Sequence, residues 1–88
     1  MASVIVRVFD EEIEFTEVES SNIYAVGYDD SRVALGVIFH STVDKCAYWY
    51  LDAPRKMLDN MLKAESKGKF FNSYIKHVYE FIKVDYEQ

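Results

Sequence analysis

Residues 3–9 alternate. Val4, Val6 and Val8 share one side and Ile5, Arg7 and Phe9 the other, a period of two in β-branched residues that predicts a strand. Asp10-Glu11-Glu12 reads as a polar turn. Residues 13–18 then place Ile13, Phe15 and Glu17 opposite Glu14, Thr16 and Val18, a second strand that pairs with the first as a hairpin over residues 3–18. Its carboxylates suit a sheet edge, where charge discourages pairing with another chain. Ser20-Ser21-Asn22 breaks the pattern. Residues 23–28 predict a third strand, and Gly27 inside it marks a bulge or a close approach by neighbouring backbone. Asp29-Asp30-Ser31 is a turn. In residues 33–39, Val33, Leu35, Val37 and Phe39 alternate with Ala34, Gly36 and Ile38, so both faces are apolar and the strand is central. A polar turn over 41–45 leads to residues 46–51, where Cys46, Tyr48 and Tyr50 lie opposite Ala47, Trp49 and Leu51. The second set is the more apolar. It is therefore expected to meet the helices, leaving Tyr48 and Tyr50 exposed.

Asp52-Ala53-Pro54 changes the periodicity. Asp52 or Ala53 stands where a helix cap belongs, and Pro54 suits a first helical turn, where its missing N–H has no partner to lose. Met57, Leu58, Met61 and Leu62 form a helical stripe, which predicts a helix over about 54–65. Ser66-Lys67-Gly68 ends or turns it. A second helix carries Phe71, Tyr74, Ile75, Val78 and Ile82 at helical spacing, although residues 79–86 are also rich in strand formers. The fold class is α+β: an antiparallel sheet of four to five strands, built as hairpins or a meander, followed by two C-terminal helices packed on one face. Leu35, Val37, Phe39, Trp49, Leu58, Leu62, Ile75 and Val78 are the expected core.

Eighty-eight residues make one domain, 1–88, with room for one modest core. The apolar share of 50% excludes a chain disordered by composition. No run approaches the ~20 apolar residues of a membrane span, and no basic-then-apolar start suggests a signal peptide. The single cysteine, Cys46, favours a reducing compartment, hence the cytoplasm, or the host cytoplasm for a phage protein. The net charge of −5 is unevenly spread. Residues 1–20 hold six acidic side chains and one basic, whereas residues 55–83 hold seven basic and three acidic. Such segregation can orient a partner, and it can equally be two solvated faces.

Few residues offer chemistry. Cys46 with His40 or His77 supplies two members of a nucleophilic triad, but a thiol opening an apolar strand reads as buried. Neither histidine has a companion at metal-ligand spacing, and no cofactor motif is present. Asp29 and Asp30 are adjacent carboxylates in a turn, whose usual partners are local backbone groups. A non-enzymatic role is expected. The best small-site candidate is the joint at Ser66, Lys67, Gly68, Lys69 and Asn72, where backbone donors at a helix entry sit beside lysines. Lys63 and Lys76 are near enough in sequence to join the same basic patch. The competing reading is a plain helix–helix joint with Gly68 as the permissive residue. Tyr48 and Tyr50, if exposed, can stack nucleobases or serve a protein interface.

These features together resemble the KTSC domain, a lysyl-tRNA synthetase C-terminal-type domain, over residues 20–82. The resemblance rests on Ser20-Ser21-Asn22-Ile23, Gly27-Tyr28-Asp29, Tyr48-Trp49-Tyr50 at the family's YxY centre, Asp52-Ala53-Pro54 at a Val-Pro entry, and Ala64-Glu65-Ser66-Lys67-Gly68-Lys69-Phe70-Phe71-Asn72 running to Ile75-Lys76 and Tyr79. It implies a small bacterial or phage module and a suggested RNA-binding role. The acidic hairpin lies outside it, and residues 40–45 lack the tight glycine turn of the family. The expected function is a small non-catalytic binding module for RNA. The alternatives are a protein-interaction module, including an acidic phage-type inhibitor facing a basic partner, and a purely structural domain.

Overall fold

The computed structural model describes residues 2–87. Six strands, β1 (Ser3–Val8), β2 (Glu11–Glu17), β3 (Ile23–Asp29), β4 (Ala34–Phe39), β5 (Cys46–Leu51) and β6 (Phe81–Asp85), form one antiparallel sheet in chain order. Helices α1 (Lys56–Lys63) and α2 (Lys67–Tyr74) occupy the connection from β5 to β6. Among the described residues no helix is long and apolar enough to cross a membrane.

The sheet is not flat. Register aligns Phe15 with Gly27, Gly27 with Gly36 and Gly36 with Trp49, one row across β2 to β5. In a flat sheet β2 and β5 are about 14 Å apart, at ~4.8 Å per strand. Yet the Phe15 and Trp49 rings meet edge to face at 5.5 Å. They do so over the glycines: a Cβ on Gly36 would stand 2.7 Å from the Phe15 ring and 2.8 Å from the Trp49 ring. Missing side chains at two adjacent positions let two large rings fold inward, and the sheet curls around them. The outer strands follow. The Glu87 N–H donates to the Arg7 carbonyl at 2.8 Å, and the Asp10 N–H donates to the Glu87 carboxylate at 2.8 Å. The close backbone approach anticipated at Gly27 is that of the Glu14 carbonyl, 3.0 Å from where a Cβ would stand, with the Phe15 ring at 3.1 Å; the bulge falls at Tyr24, between the Ile23–Phe39 and Ala25–Ile38 pairs.

Curling gives the sheet two dry faces. Inside lie Val8, Phe15, Ala25, Ala34, Ile38, Ala47 and Trp49. Outside, Ile23, Val26, Leu35, Val37 and Tyr50 pack with Ala53, Leu58, Met61, Phe71 and Ile75 of the helical layer. The expected facing of β5 is therefore reversed: Trp49 fills the interior of the curl, and Tyr50, only 3% exposed, meets α2. Comparing the apolarity of two faces cannot find a second interior. Leu35, Val37, Leu58 and Ile75 are buried as expected, Phe39 and Leu62 are partly buried, and Val78 is exposed.

Local chemistry sets the ends of the elements. Phe9 and Asp10, both at positive φ (56° and 58°), turn β1 into β2 one residue earlier than the acidic run suggested. Two successive positive φ values match the twist of a hairpin. Asp52 and Ala53 do not cap α1: Asp52 lies at φ 60°, and the Ala53 carbonyl accepts the Tyr28 hydroxyl at 2.7 Å. A turn from Pro54 leads into the helix, which closes at Lys63. α2 stops at Tyr74, so Val78 and Ile82 are not on it. Phe81, Ile82 and Val84, aromatic and β-branched, instead carry a segment that pairs with β5 as the sixth strand.

Candidate functional site, an aromatic cleft between α2 and the sheet

The YxY segment determines where the cleft forms. Tyr48 and Tyr50 project from the same face of β5, two residues apart. Phe81 of β6 lies directly across from Tyr50, and Phe39 closes the end of β4. Phe71 reaches down from α2. The five rings touch in a closed circuit: Phe39 to Tyr48 at 5.3 Å, Tyr48 to Phe81 at 5.5 Å, Phe81 to Tyr50 at 5.5 Å, Tyr50 to Phe71 at 5.4 Å and Phe71 to Phe39 at 5.4 Å. They line a cleft of about 340 Å³, at the small end of ligand sites. Its polar groups are Asn22, Ser41, Thr42, Asn72, Lys76 and His77. Burial, and secondarily Tyr48, push the Tyr50 phenol up to about 12, so it stays a neutral hydroxyl across the physiological range.

The wall around Asn22 is pinned from three sides. The His40 N–H donates to the Asn22 carbonyl at 2.9 Å, and a His40 ring nitrogen lies 3.0 Å from the Ser20 carbonyl. Ser20 and Asn22 are bonded through their side chains at 3.0 Å. Gly68 packs against this bend: a Cβ there would come 3.1 Å from the Asn22 side-chain oxygen. Gly68 has no positive φ, so what it offers is a close fit against Asn22 and not, as the joint reading supposed, backbone freedom. Residues 20–22, 48–50 and 66–72, far apart in sequence, thus converge on one end of the sheet.

The remaining expected site residues separate. Tyr48, Tyr50, Asn72 and Lys76 line the cleft together. Ser66 caps α2, its hydroxyl accepting the Lys69 N–H at 3.2 Å, while Lys69 itself is exposed. Lys67 is occupied at the end of α1, donating to the Leu62 and Ala64 carbonyls at 3.1 and 2.6 Å, and it borders Glu17 and Glu19. Lys63 lies in a different groove, with Met57, Asn60, Phe70 and Tyr74. The basic joint is therefore not one patch. The lysine that joins Lys76 near the cleft is Lys83, paired across the strands with Tyr48. Sequence reasoning missed Phe39, His77, Phe81 and Lys83. The richness in strand formers over residues 79–86 was the signal for two of them.

Other candidates take structural roles. Asp29 is buried and accepts from the Ser31 N–H and hydroxyl and from Arg32. Burial alone would raise its pKa, but these bonds outweigh it and hold the carboxyl below its ordinary range. Cys46 is buried at the start of β5.

Known proteins share this fold. The KTSC domain model matches residues 19–79, a span that takes in the bend at Asn22, the YxY segment and the helical joint. A protein of Tsukamurella paurometabola is 39% identical over 59 residues, covering 67% of this chain and 84% of that one. The crystal structure of a KTSC domain protein from Yersinia pestis aligns with a TM-score of 0.70 at 33% identity, covering 78% of this chain and 93% of that one. The lysyl-tRNA synthetase connection attached to the resemblance is not carried by these matches and is dropped. Matched through its three converging segments, this chain belongs to the KTSC domain family.

Proposed function

We propose that the domain is a non-catalytic binding module, that the aromatic cleft is its working surface, and that the occupant is a segment of another protein. The observation that carries this reading is the exposed apolar surface bordering the cleft. Phe81 is 52% exposed, and Val78, 63% exposed, shares a groove with it over residues 76–81. Large apolar side chains sharing a groove and open to water mark interaction sites in small proteins. RNA binding, the role the family resemblance implied, has a narrower base. Phosphate contacts supply much of RNA affinity, the chain carries −5, and only Lys76 and Lys83 adjoin the rings. Its own support is the pairing of Tyr48 and Phe81 with those two lysines, an arrangement that can stack a base and hold a phosphate.

Affinity capture from the native host, with and without nuclease, separates the two. The expected result is a stoichiometric protein that survives nuclease and is lost from a Tyr48→Ser, Phe81→Ser double variant. Nuclease-sensitive recovery of RNA at near-physiological salt, lost from the same variant, would replace the protein reading with the RNA one.

A further inference from the structure

The cleft borders an open sheet edge. The Leu51 N–H donates to the Glu80 carbonyl at 2.8 Å, and the Tyr86 N–H to the Lys45 carbonyl at 2.9 Å. Between these anchors β5 and β6 pair residue by residue, from Tyr50–Phe81 to Cys46–Asp85. Hydrogen-bonded and non-hydrogen-bonded pairs alternate in an antiparallel ladder. Ile82 and Val84 therefore bond to β5, while the N–H and C=O groups of Phe81, Lys83 and Asp85 point outward. Among the described residues no backbone group meets them: β1, the other edge strand, reaches this side only where Arg7 joins Glu87. The residues whose backbone is free are also those whose side chains share the face of Tyr48 and Tyr50.

We infer that a partner segment adds as a strand to β6, placing alternate side chains against the aromatic cleft. This rests on the protein-binding reading above and specifies its mode. Backbone bonds to Phe81, Lys83 and Asp85 supply affinity, and pockets for alternate side chains supply choice. The register fixes the chemistry. A residue opposite Phe81 lies beside the ring circuit and is aromatic or large aliphatic. A residue opposite Lys83, two positions away on the same face, is acidic, and Lys76 on the cleft wall favours the same sign. The occupant is thus an extended segment with an apolar anchor two residues from a carboxylate that meets Lys83, and with no acidic residue opposite Asp85. A second copy of this chain fits less well, because antiparallel self-pairing centred on β6 sets Lys83 opposite Lys83.

The probe is a panel of capped peptides of about seven residues, long enough to span β6, with a central phenylalanine, leucine or alanine and a carboxylate two residues before or two residues after it. Amide exchange by NMR reads the result. On binding, exchange at Phe81, Lys83 and Asp85 slows about tenfold or more, while Ile82 and Val84, already bonded to β5, stay unchanged. Lys83→Pro removes an outward N–H without touching the ladder, so it should fold. It should bind at least about tenfold more weakly than Lys83→Ala, which loses the charge alone. Protected Ile82 and Val84 amides show that the variant is folded. Peptide-induced shifts at Phe39 and Tyr48 without the alternating protection would overturn strand addition and leave the protein-binding reading standing. No binding by any peptide at millimolar concentration would also overturn it. If an oligoribonucleotide then shifts the same cleft signals, the protein reading falls too. The alternating protection appearing on concentration of the domain alone, with a doubled mass, would replace the peptide by a second copy.

Discussion

Gly36→Ala tests what curls the sheet. The new methyl carbon would lie 2.7 and 2.8 Å from two atoms of the Phe15 ring and 2.8 Å from the Trp49 ring. Comfortable carbon–carbon separations begin near ~3.5 Å, so each ring must retreat by about 0.7–0.8 Å. Neither has space: both are 0% exposed and packed against each other. The backbone itself is not at fault, since no glycine has a positive φ. The expected cost is therefore steric, at the upper part of the ~1–3 kcal/mol range for overpacking. Urea unfolding followed by Trp49 fluorescence should show the midpoint falling by ~2 M, at a slope of ~1 kcal/mol/M for a domain this small. Phe15→Leu shortens one of the two obstructing side chains and has its own cost of ~1 kcal/mol or more. In that background Gly36→Ala should be milder by ~1 kcal/mol, a coupling that only neighbours show. A Gly36→Ala protein within ~0.5 kcal/mol of the parent, or one whose cost simply adds to that of Phe15→Leu, would refute the account of the curl.

Val33, β-branched and 44% exposed, is held at φ 52°, so Val33→Asn should raise stability by ~1 kcal/mol in the same melts. Asp29→Asn should cost ~1–3 kcal/mol at neutral pH by removing a buried carboxylate that accepts from Ser31 and Arg32. Because the Asp29 pKa is lowered in the fold, its contribution is full above the ordinary carboxylate range and lost as pH falls through the folded value; the gap between parent and variant should close on acidification. At the other end, burial raises Tyr50 and Tyr86 each to about 12. Their contribution is full below pH ~10 and lost as pH rises toward 12, up to ~2–3 kcal/mol for the buried Tyr50 and less for the partly buried Tyr86, and ultraviolet titration should show both titrating late while the chain stays folded.

How far the fold was legible depended on how local each signal was. Alternation in residues 3–9 and 33–39, and the Met57–Leu58–Met61–Leu62 stripe, are carried by neighbours in sequence, and the corresponding strands and helix formed. β6 was ambiguous because Val78 and Ile82 also continue the helical spacing of Phe71 and Ile75. Pairing with β5 settled it, and that pairing is remote in sequence. The facing of β5 went wrong for a deeper reason. Which side of a strand is dry depends on what covers it, and the cover over Trp49 is Phe15 across two glycines. Nothing within residues 46–51 records that.

The cleft shows the same dependence in reverse. Tyr48, Tyr50, Asn72 and Lys76 could be picked out singly, because tyrosines in a strand and a lysine near a helix end are visible as residue types. Lys67 could be picked out on the same grounds, yet two backbone carbonyls at the end of α1 occupy its ammonium. A lysine can cap a helix or meet a ligand with the same atoms, and sequence does not distinguish them. Because Trp49 turns inward, Tyr48 and Tyr50 turn toward α2, and Phe81 and Lys83 come beside them from β6. The glycine row at 27 and 36 thus acts at a distance. By curling the sheet it gives Trp49 a dry interior, and the opposite side of the same strand becomes free to build an aromatic cleft beside an unpaired edge.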